Sequence, residues 1–337
     1  MRRPAGQPAG LLLFASGDKL VAMDQVFARD DALAPDRLRE LSRRSDLRGW
    51  LQTLSHLGAI GATGTSIYLS LGTVWVAVPF LIHGVLINYL YGGQHELSHS
   101  TVFRTRWLNE FWGRVFGFIV IAPRDADQIQ HFAHHRHTQI WRQDGELFRQ
   151  PYTLRSYLLR LSGIEYWRSN FAALRLYARG RVGDPYVKPA QHTLVIREAR
   201  LHLLGYAGIA VVSFAAGSWA AILYWLAPLL LTKPAHQLQN LIEHLGLPHT
   251  NDIFANTRST RTCALMRWLC WQMQYHTAHH AFPSVPFFRL KELHHEVFTA
   301  RGIQPPMMTY FGFQRAIIRA LAAKDEAEYP DDRAWVW

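Results

Sequence analysis

The chain has 337 residues, 49% of them hydrophobic and 18% charged, which excludes a disordered polymer and leaves ample material for a core. Its net charge of +11 would suit nucleic acid, but the basic residues are spread over three polar segments instead of one arm, which argues against that partner. Its two cysteines, Cys263 and Cys270, stand in no paired ligand spacing, which argues against a disulfide framework.

Residues 1–48 carry nine Lys and Arg among acids and prolines, and read as a polar tail with one interfacial helix. A short apolar run, Leu11–Ala15, follows Met1-Arg2-Arg3, but Pro4, Pro8 and Asp18 interrupt the pattern a secretory signal would need. From Gly49 to His95 there are 47 residues without Asp, Glu, Lys or Arg. That is enough for two spans of roughly 20 residues each. Helices are expected near 51–71 and 74–93, with Gly72 and Thr73 at the turn. Residues 96–200 contain sixteen Lys and Arg, interrupted by an apolar patch from Phe111 to Pro123 that carries Arg114 and is expected at the interface. The second uncharged block, 201–232, has 32 residues. It reads either as two spans turning at Gly217 and Ser218, each short or extended into polar flanks, or as one long tilted helix. Eleven basic residues follow from Lys233 onward, and none lies in either proposed turn, so two hairpins put all 36 on one side. The positive-inside rule makes that side cytoplasmic.

Eight of the 18 histidines form three clusters: His95 and His99; His131, His134 and His135; His276, His279 and His280. Spacings of three and four place such rings on one face of a helix, pointing at a common centre. Imidazole suits Fe, Zn, Cu and Ni, and eight rings exceed what one tetrahedral zinc can use, so two ions are the economical reading. Asn240 and His244 are spaced to share a helical face and add a ninth imidazole. Glu96, Asp144 and Glu243 are candidates to orient those rings from behind, with His137 a further outer candidate. Two other readings compete. His95-Glu96-Leu97-Ser98-His99 also satisfies the HExxH pattern of zinc proteases, which would leave the other clusters without a role. A metal transporter would place ligands inside its spans, where only the scattered His56, His83 and His202 occur. Trp75, Tyr89 and Tyr91 are read as interfacial aromatics in preference to the lining of an acyl tunnel.

Over residues 50–300 the pattern resembles the membrane fatty acid desaturase and hydroxylase superfamily, whose HxxxH, HxxHH and second HxxHH boxes occur in this order around two membrane hairpins. The resemblance implies an all-α integral membrane protein of four transmembrane helices in two hairpins (49–95 and 201–232). A helical cytoplasmic cap would bear the di-iron site within a membrane unit 49–300, followed by a cytoplasmic segment 301–337. It implies that His95, His99, His131, His134, His135, His244, His276, His279 and His280 bind two irons, with Asn240 acting through water. The implied reaction uses O2 to put a double bond into a fatty acyl chain, hydroxylation of a lipid or small acyl derivative being the alternative. No HPGG, CxxC or GxGxxG segment is present, so the electrons are expected from a separate ferredoxin, rubredoxin or cytochrome b5-like protein.

Overall fold

The computed structural model describes residues 33–140, 143–147, 153–302 and 307–323; most of the expected N-terminal tail, with its Leu11–Ala15 run, and much of the 301–337 segment lie outside them. Helix α1, Pro35–Leu41, leads into the long α2, Asp46–Ser70. The Ser45 side chain accepts the Arg48 N–H, and Asp46 sits in the first turn, so a cap and a favourable dipole contact start α2 at that point. Gly72, at φ +82°, turns the chain, and α3 runs from Ala77 to Ser98. The first expected hairpin is therefore present as two helices, shifted and lengthened at its ends so that α3 reaches into the first histidine cluster.

The apolar patch around Phe111 forms α4, Arg106–Val120, which ends at Ile121 in the left-handed region, and α5, Arg124–His137, follows directly. Arg114 is not an isolated interfacial charge. Its guanidinium meets Asp125 at 2.8 Å and Glu198 at 3.4 Å, tying α4 to the start of α5 and to a later helix. After α6, Leu154–Leu161, and α7, Ile164–Ala178, that later helix is α8, His192–Ala215. It begins ahead of the uncharged block, in the polar flank with Arg197, Glu198 and Arg200, and so gains the length that residues 201–232 alone lack. Gly217 turns the chain at φ +57°; a π-wound turn over Ile222–Leu226 then meets α9, Ala227–Leu231. Pro228 lacks an N–H to continue a regular ladder there. The two-helix reading of the second block is the one the fold adopts.

Among the described residues one helical stretch, Val74–Ser98, is long and apolar enough to cross a membrane by itself. The His, Ser, Thr and Gly residues scattered through α2, the charges in the first half of α8 and the break before α9 set the other three apart. All four leave large apolar side chains exposed, among them Leu51, Leu69, Leu81, Leu204, Phe214 and Leu231. The hairpins are locked together through polar side chains and one close backbone approach. Asn88 donates to Leu229 O (2.8 Å) and Thr232 Oγ1 (2.9 Å), and His83 lies between Thr63 Oγ1 (2.8 Å) and Tyr224 O (2.9 Å). A Cβ at Gly84 would fall 2.4 Å from Pro228 O, so only glycine lets α3 and α9 meet.

The remainder of the chain caps one end of the hairpins: α10 Lys233–Asn240, α11 Ile253–Asn256, α12 Ala264–Leu269, α13 His276–Ala281, α14 Leu290–Arg301 and α15 Tyr310–Ala322. A two-residue parallel bridge joins β1, Ser259–Thr260, to β2, Met307–Met308. The main core packs Leu86, Leu90, Phe103, Phe116, Trp271 and Phe282 between α3, α4 and the cap. Each such side chain contributes about 1.5–3 kcal/mol by burial. Gly84→Val is expected to destabilise the protein by about 1–3 kcal/mol through overpacking. An unchanged thermal midpoint in detergent would contradict the close approach of α3 and α9.

Candidate metal centre

Helix phase decides how the three clusters are shared out. His95 lies in the last turn of α3 and His99 at its C-terminal boundary, so this i,i+4 pair faces one way. On α5 His131 and His135 are likewise an i,i+4 pair, while His134 projects to one side of them; on α13 the pair is His276 and His280, with His279 the odd ring. The rings gather into two groups, in keeping with two ions, but the rings of the second and third clusters do not each share one centre. His95, His99, His131, His135 and His279 form one, and His134, His244, His276 and His280 the other, with one nitrogen of each ring within 4.8 Å of those of its group. Each of the two HxxHH boxes therefore feeds both groups, and the groups touch where His135 stacks on His280 at 4.1 Å between ring centres.

Asn240 and His244 do not share a helical face. Helix α10 ends at Asn240, and the next residues form tight turns through Gly246 at φ +80°. Arg258 holds this irregular backbone: it is buried, its guanidinium donates to Ile242 O and Leu245 O, and its own N–H reaches Glu243 O at 2.8 Å. His244 is thereby swung into the four-ring group, with Nδ1 on Asn256 O at 3.1 Å. Asn240 lines a neighbouring cavity.

The backs of the rings are held by acceptors. Asp144 Oδ1 lies 2.8 Å from His134 Nδ1, and Asp144 is itself fixed by the N–H groups of Gln139 and Glu146. Glu96, fully buried, sits 3.3 Å from His279 Nδ1 and 3.4 Å from His95 Nδ1, behind the rings and away from the face a protease water would need. Glu243 stands 3.7 Å from His276 Nδ1, and Thr138 Oγ1 3.3 Å from His280 Nδ1. His137 ends α5 half-buried and belongs to neither group. Glu146, which sequence spacing did not single out, places Oε1 3.3 Å from His131 Nδ1.

The Nδ1 atoms of His131, His134, His244 and His280 are hydrogen-bonded, and the Nε2 atoms turn on one another. His244 Nε2 is 2.7 Å from His276 Nε2 and 3.2 Å from His134 Nε2; His99 meets His131 at 2.8 Å, and His135 meets His279 at 3.2 Å, again through Nε2. A neutral ring whose Nδ1–H is donated has only a lone pair at Nε2, so His244, with Nδ1 on Asn256 O, turns a lone pair toward the Nε2 atoms of its neighbours. Two ligands about 2.1 Å from one cation, meeting near a right angle, are about 3 Å apart. Both nitrogen groups fit that requirement, and His280 Nε2 is buried with no hydrogen-bond partner. Burial, reinforced by neighbouring rings, holds His131, His135, His276, His279 and His280 well below the ordinary histidine pKa, and takes His244 down to about 3. His134 is the exception. Burial depresses it, but Asp144, Glu146 and Glu243 outweigh that and raise it to about 9, and the same negative field favours a bound cation.

A cavity of about 1110 Å³ lies beside the rings, lined by Tyr91, Asp127, Glu146, Tyr166, His236 and Asn240 among others. Tyr91 thus faces a cavity, contrary to its reading as an interfacial aromatic, and its hydroxyl donates to Asp127 at 3.2 Å. Tyr89 is buried with its hydroxyl on Ala235 O, and Trp75 is exposed at the hairpin turn. His56 (to Leu86 O, 2.9 Å) and His202 (to Tyr206 OH, 3.0 Å) are engaged locally, as is His83, which leaves no ligand set within the spans.

A family model described as "Fatty acid desaturase" matches residues 13–311, a stretch that contains all nine rings. Curated proteins named "sn-1 oleoyl-lipid 12-desaturase" are similar along most of their length. The protein from Picosynechococcus sp. is 22% identical over 277 residues, covering 75% of this chain and 78% of the relative. The one from Anabaena variabilis is 20% identical over 283 residues (75% and 77%), and the one from Arthrospira platensis 21% over 276 (72% and 74%).

Arg258→Leu is expected to leave the Ile242 and Leu245 carbonyls unsatisfied, at about 1–3 kcal/mol each. The variant should be nicked by protease within 241–250 faster than wild type; equal resistance would show that the guanidinium does not hold the turn.

Proposed function

The chain belongs to the fatty acid desaturase family of membrane-associated oxidoreductases, and on that premise we propose that it is a multi-pass, O2-dependent di-iron enzyme that puts a double bond into a fatty acyl chain. The observation that carries this reading is the pair of adjoining buried groups of five and four imidazoles with facing Nε2 atoms. His95, His99, His131, His135 and His279 would hold one iron, and His134, His244, His276 and His280 the other, with Asn240 acting through water from the cavity side. Imidazole suits iron, and the two separate groups use every ring where one zinc would not. Iron so bound supplies O2 activation and hydrogen removal.

The protein's own part is positional. Asp144, Glu96 and Glu243 fix ring orientation from behind. Tyr91, Tyr166 and Phe171 form part of the wall of the neighbouring cavity, which would take the alkyl chain. Loss of two hydrogens from the chain, with O2 reduced to two waters, needs two further electrons and two protons, and a separate ferredoxin, rubredoxin or cytochrome b5-like protein would supply the electrons. The relatives' printed names refer to a lipid-bound acyl group, which favours an acyl-lipid substrate here as well.

Four spans in two hairpins with the cap and both termini in the cytoplasm account for the charge distribution and for the exposed apolar faces of α2, α3, α8 and α9. The ring-bearing segments before and after the second hairpin meet, which also favours its return to the starting side.

Metal analysis of the purified protein should find two irons per chain, and His134→Ala should abolish turnover; about one zinc and no iron would sink the proposal. With an electron donor supplied, mass spectrometry of acyl products should show loss of two hydrogens. A predominant gain of one oxygen would reassign the chain as a hydroxylase.

A further inference from the structure

The cavity beside the rings has two unlike walls. On the inner one Asp127 accepts from the Tyr91 hydroxyl at 3.2 Å, and Glu146 lies 3.3 Å from His131 Nδ1. The outer one is built by α6 and α7, which contribute Arg160, Arg168, Phe171 and Arg175. Helix phase divides α7 into two faces. Trp167, Leu174 and Tyr177 are buried, and Trp167 packs against Ile87 of α3 and Leu229 of α9, so this helix lies directly on the hairpins. Ile164, Arg168, Phe171 and Arg175 follow one another at intervals of four, three and four on the other face, and all are exposed.

Charges along the cavity are unequally matched. Glu165 stands 3.8 Å from Arg160 and answers that guanidinium, whereas among the described residues Arg168 and Arg175 have no carboxylate within ion-pair distance. Leu158 and Leu159 on α6, with Ile164 and Phe171 on α7, expose large apolar side chains beside them, as the hairpins themselves do. Apolar side chains exposed among long basic ones suit a helix at a bilayer surface, where the former enter the acyl region and the guanidiniums stay at head-group level.

We propose that Arg168 and Arg175 bind the phosphate of an anionic phosphoglyceride, seating its head group at the mouth of the cavity while one acyl chain runs inward past Phe171 toward the rings. This assignment takes the acyl-lipid reading above as its premise and narrows it to phosphate-bearing membrane lipids. Seven residues of helix rise about 10 Å, a gap that two extended Arg side chains can close on one phosphate. Each guanidinium fork matches phosphate oxygens with paired hydrogen bonds. Phe171, between the two, supplies apolar contact to the first methylenes of the chain. A soluble acyl thioester also carries phosphate, but it leaves Leu158, Leu159 and Ile164 uncovered, whereas a lipid presented from the bilayer comes with the surface that covers them.

The test titrates full-length protein in an uncharged detergent with phosphatidylglycerol bearing a pyrene-labelled acyl chain, read by energy transfer from the protein's tryptophans, so that binding is followed without turnover. Unlabelled phosphatidylglycerol, an uncharged glucosyl diacylglycerol with the same chains and oleoyl-coenzyme A serve as competitors. Phosphatidylglycerol should compete about tenfold better than the glucosyl lipid, and Arg168→Gln/Arg175→Gln should remove that preference by weakening phosphatidylglycerol alone. Each single variant should lose part of it, which keeps the test decisive if the double variant does not elute as a folded species. Equal wild-type affinity for the two lipids, or a preference that survives both substitutions, overturns the assignment. So does oleoyl-coenzyme A as the strongest competitor, since the phosphate would then arrive from solution. Adding an electron donor tests the desaturase reading separately. Arginine-dependent lipid binding with no double bond formed overturns that reading and leaves the lipid site standing, whereas double-bond formation indifferent to the head group overturns only the site.

Discussion

A buried imidazole has two nitrogens to satisfy, and packing nine such rings into one volume is the demand to which much of the surrounding structure answers. Where Nδ1 is given an acceptor, the tautomer is fixed and Nε2 is left as a lone pair. The Asn256 carbonyl does this for His244, and Asp144 orients His134, so the outer polar groups turn the inner nitrogens toward one another. Cations at the points of convergence would satisfy them together. Polar burial that would be costly in an ordinary core is thereby converted into affinity for metal.

The helices around the rings are arranged to keep that geometry stiff. Hairpin contacts through Gly84 and Asn88 bring α3 against α9 without intervening side chains, which fixes the height of His95 and His99. On the opposite side Trp271 is completely buried, with its indole N–H on His56 Nδ1 at 3.1 Å, so α2 reaches the residues just ahead of α13. Trp271 and Gln272 both adopt positive φ, at +52° and +65°. Neither is a residue that favours this region, and the strain is sustained by packing next to the ligand helix.

The histidine clusters, the hairpin turns at Gly72 and Gly217, and the apolar α4 were legible because periodicity and turn chemistry write them locally. What the sequence concealed depends on helix phase or distant partners. How each box divides between the two groups follows from which rings are four apart, a distinction the spacings contained but that needs the relative placement of three helices to resolve. Asn240 and His244 misled because their spacing of four suggests a helix. Gly246 and Pro248 were available as stop signals, but the buried Arg258 that makes the break affordable lies well downstream. Glu146 sits in a non-helical turn, so no periodic pattern could tie it to His131. Helix α8 began earlier than hydropathy suggests because Glu198 and Arg114 neutralise each other across elements.

The parallel bridge between Ser259–Thr260 and Met307–Met308 fixes a moment in the life of the chain as well as a contact. Ser259 also donates its hydroxyl to Thr277 at 3.2 Å, inside the last histidine box, so the segment that steadies α13 is itself steadied by residues beyond 300. During synthesis six of the nine rings emerge before that box exists, and the support for the remaining three arrives later still. The nascent chain must therefore carry an incomplete, electron-rich cluster of imidazoles until that support forms. Its pocket acquires final form only once residues 307 and 308 have been made, which makes filling it a later event than the synthesis of its rings.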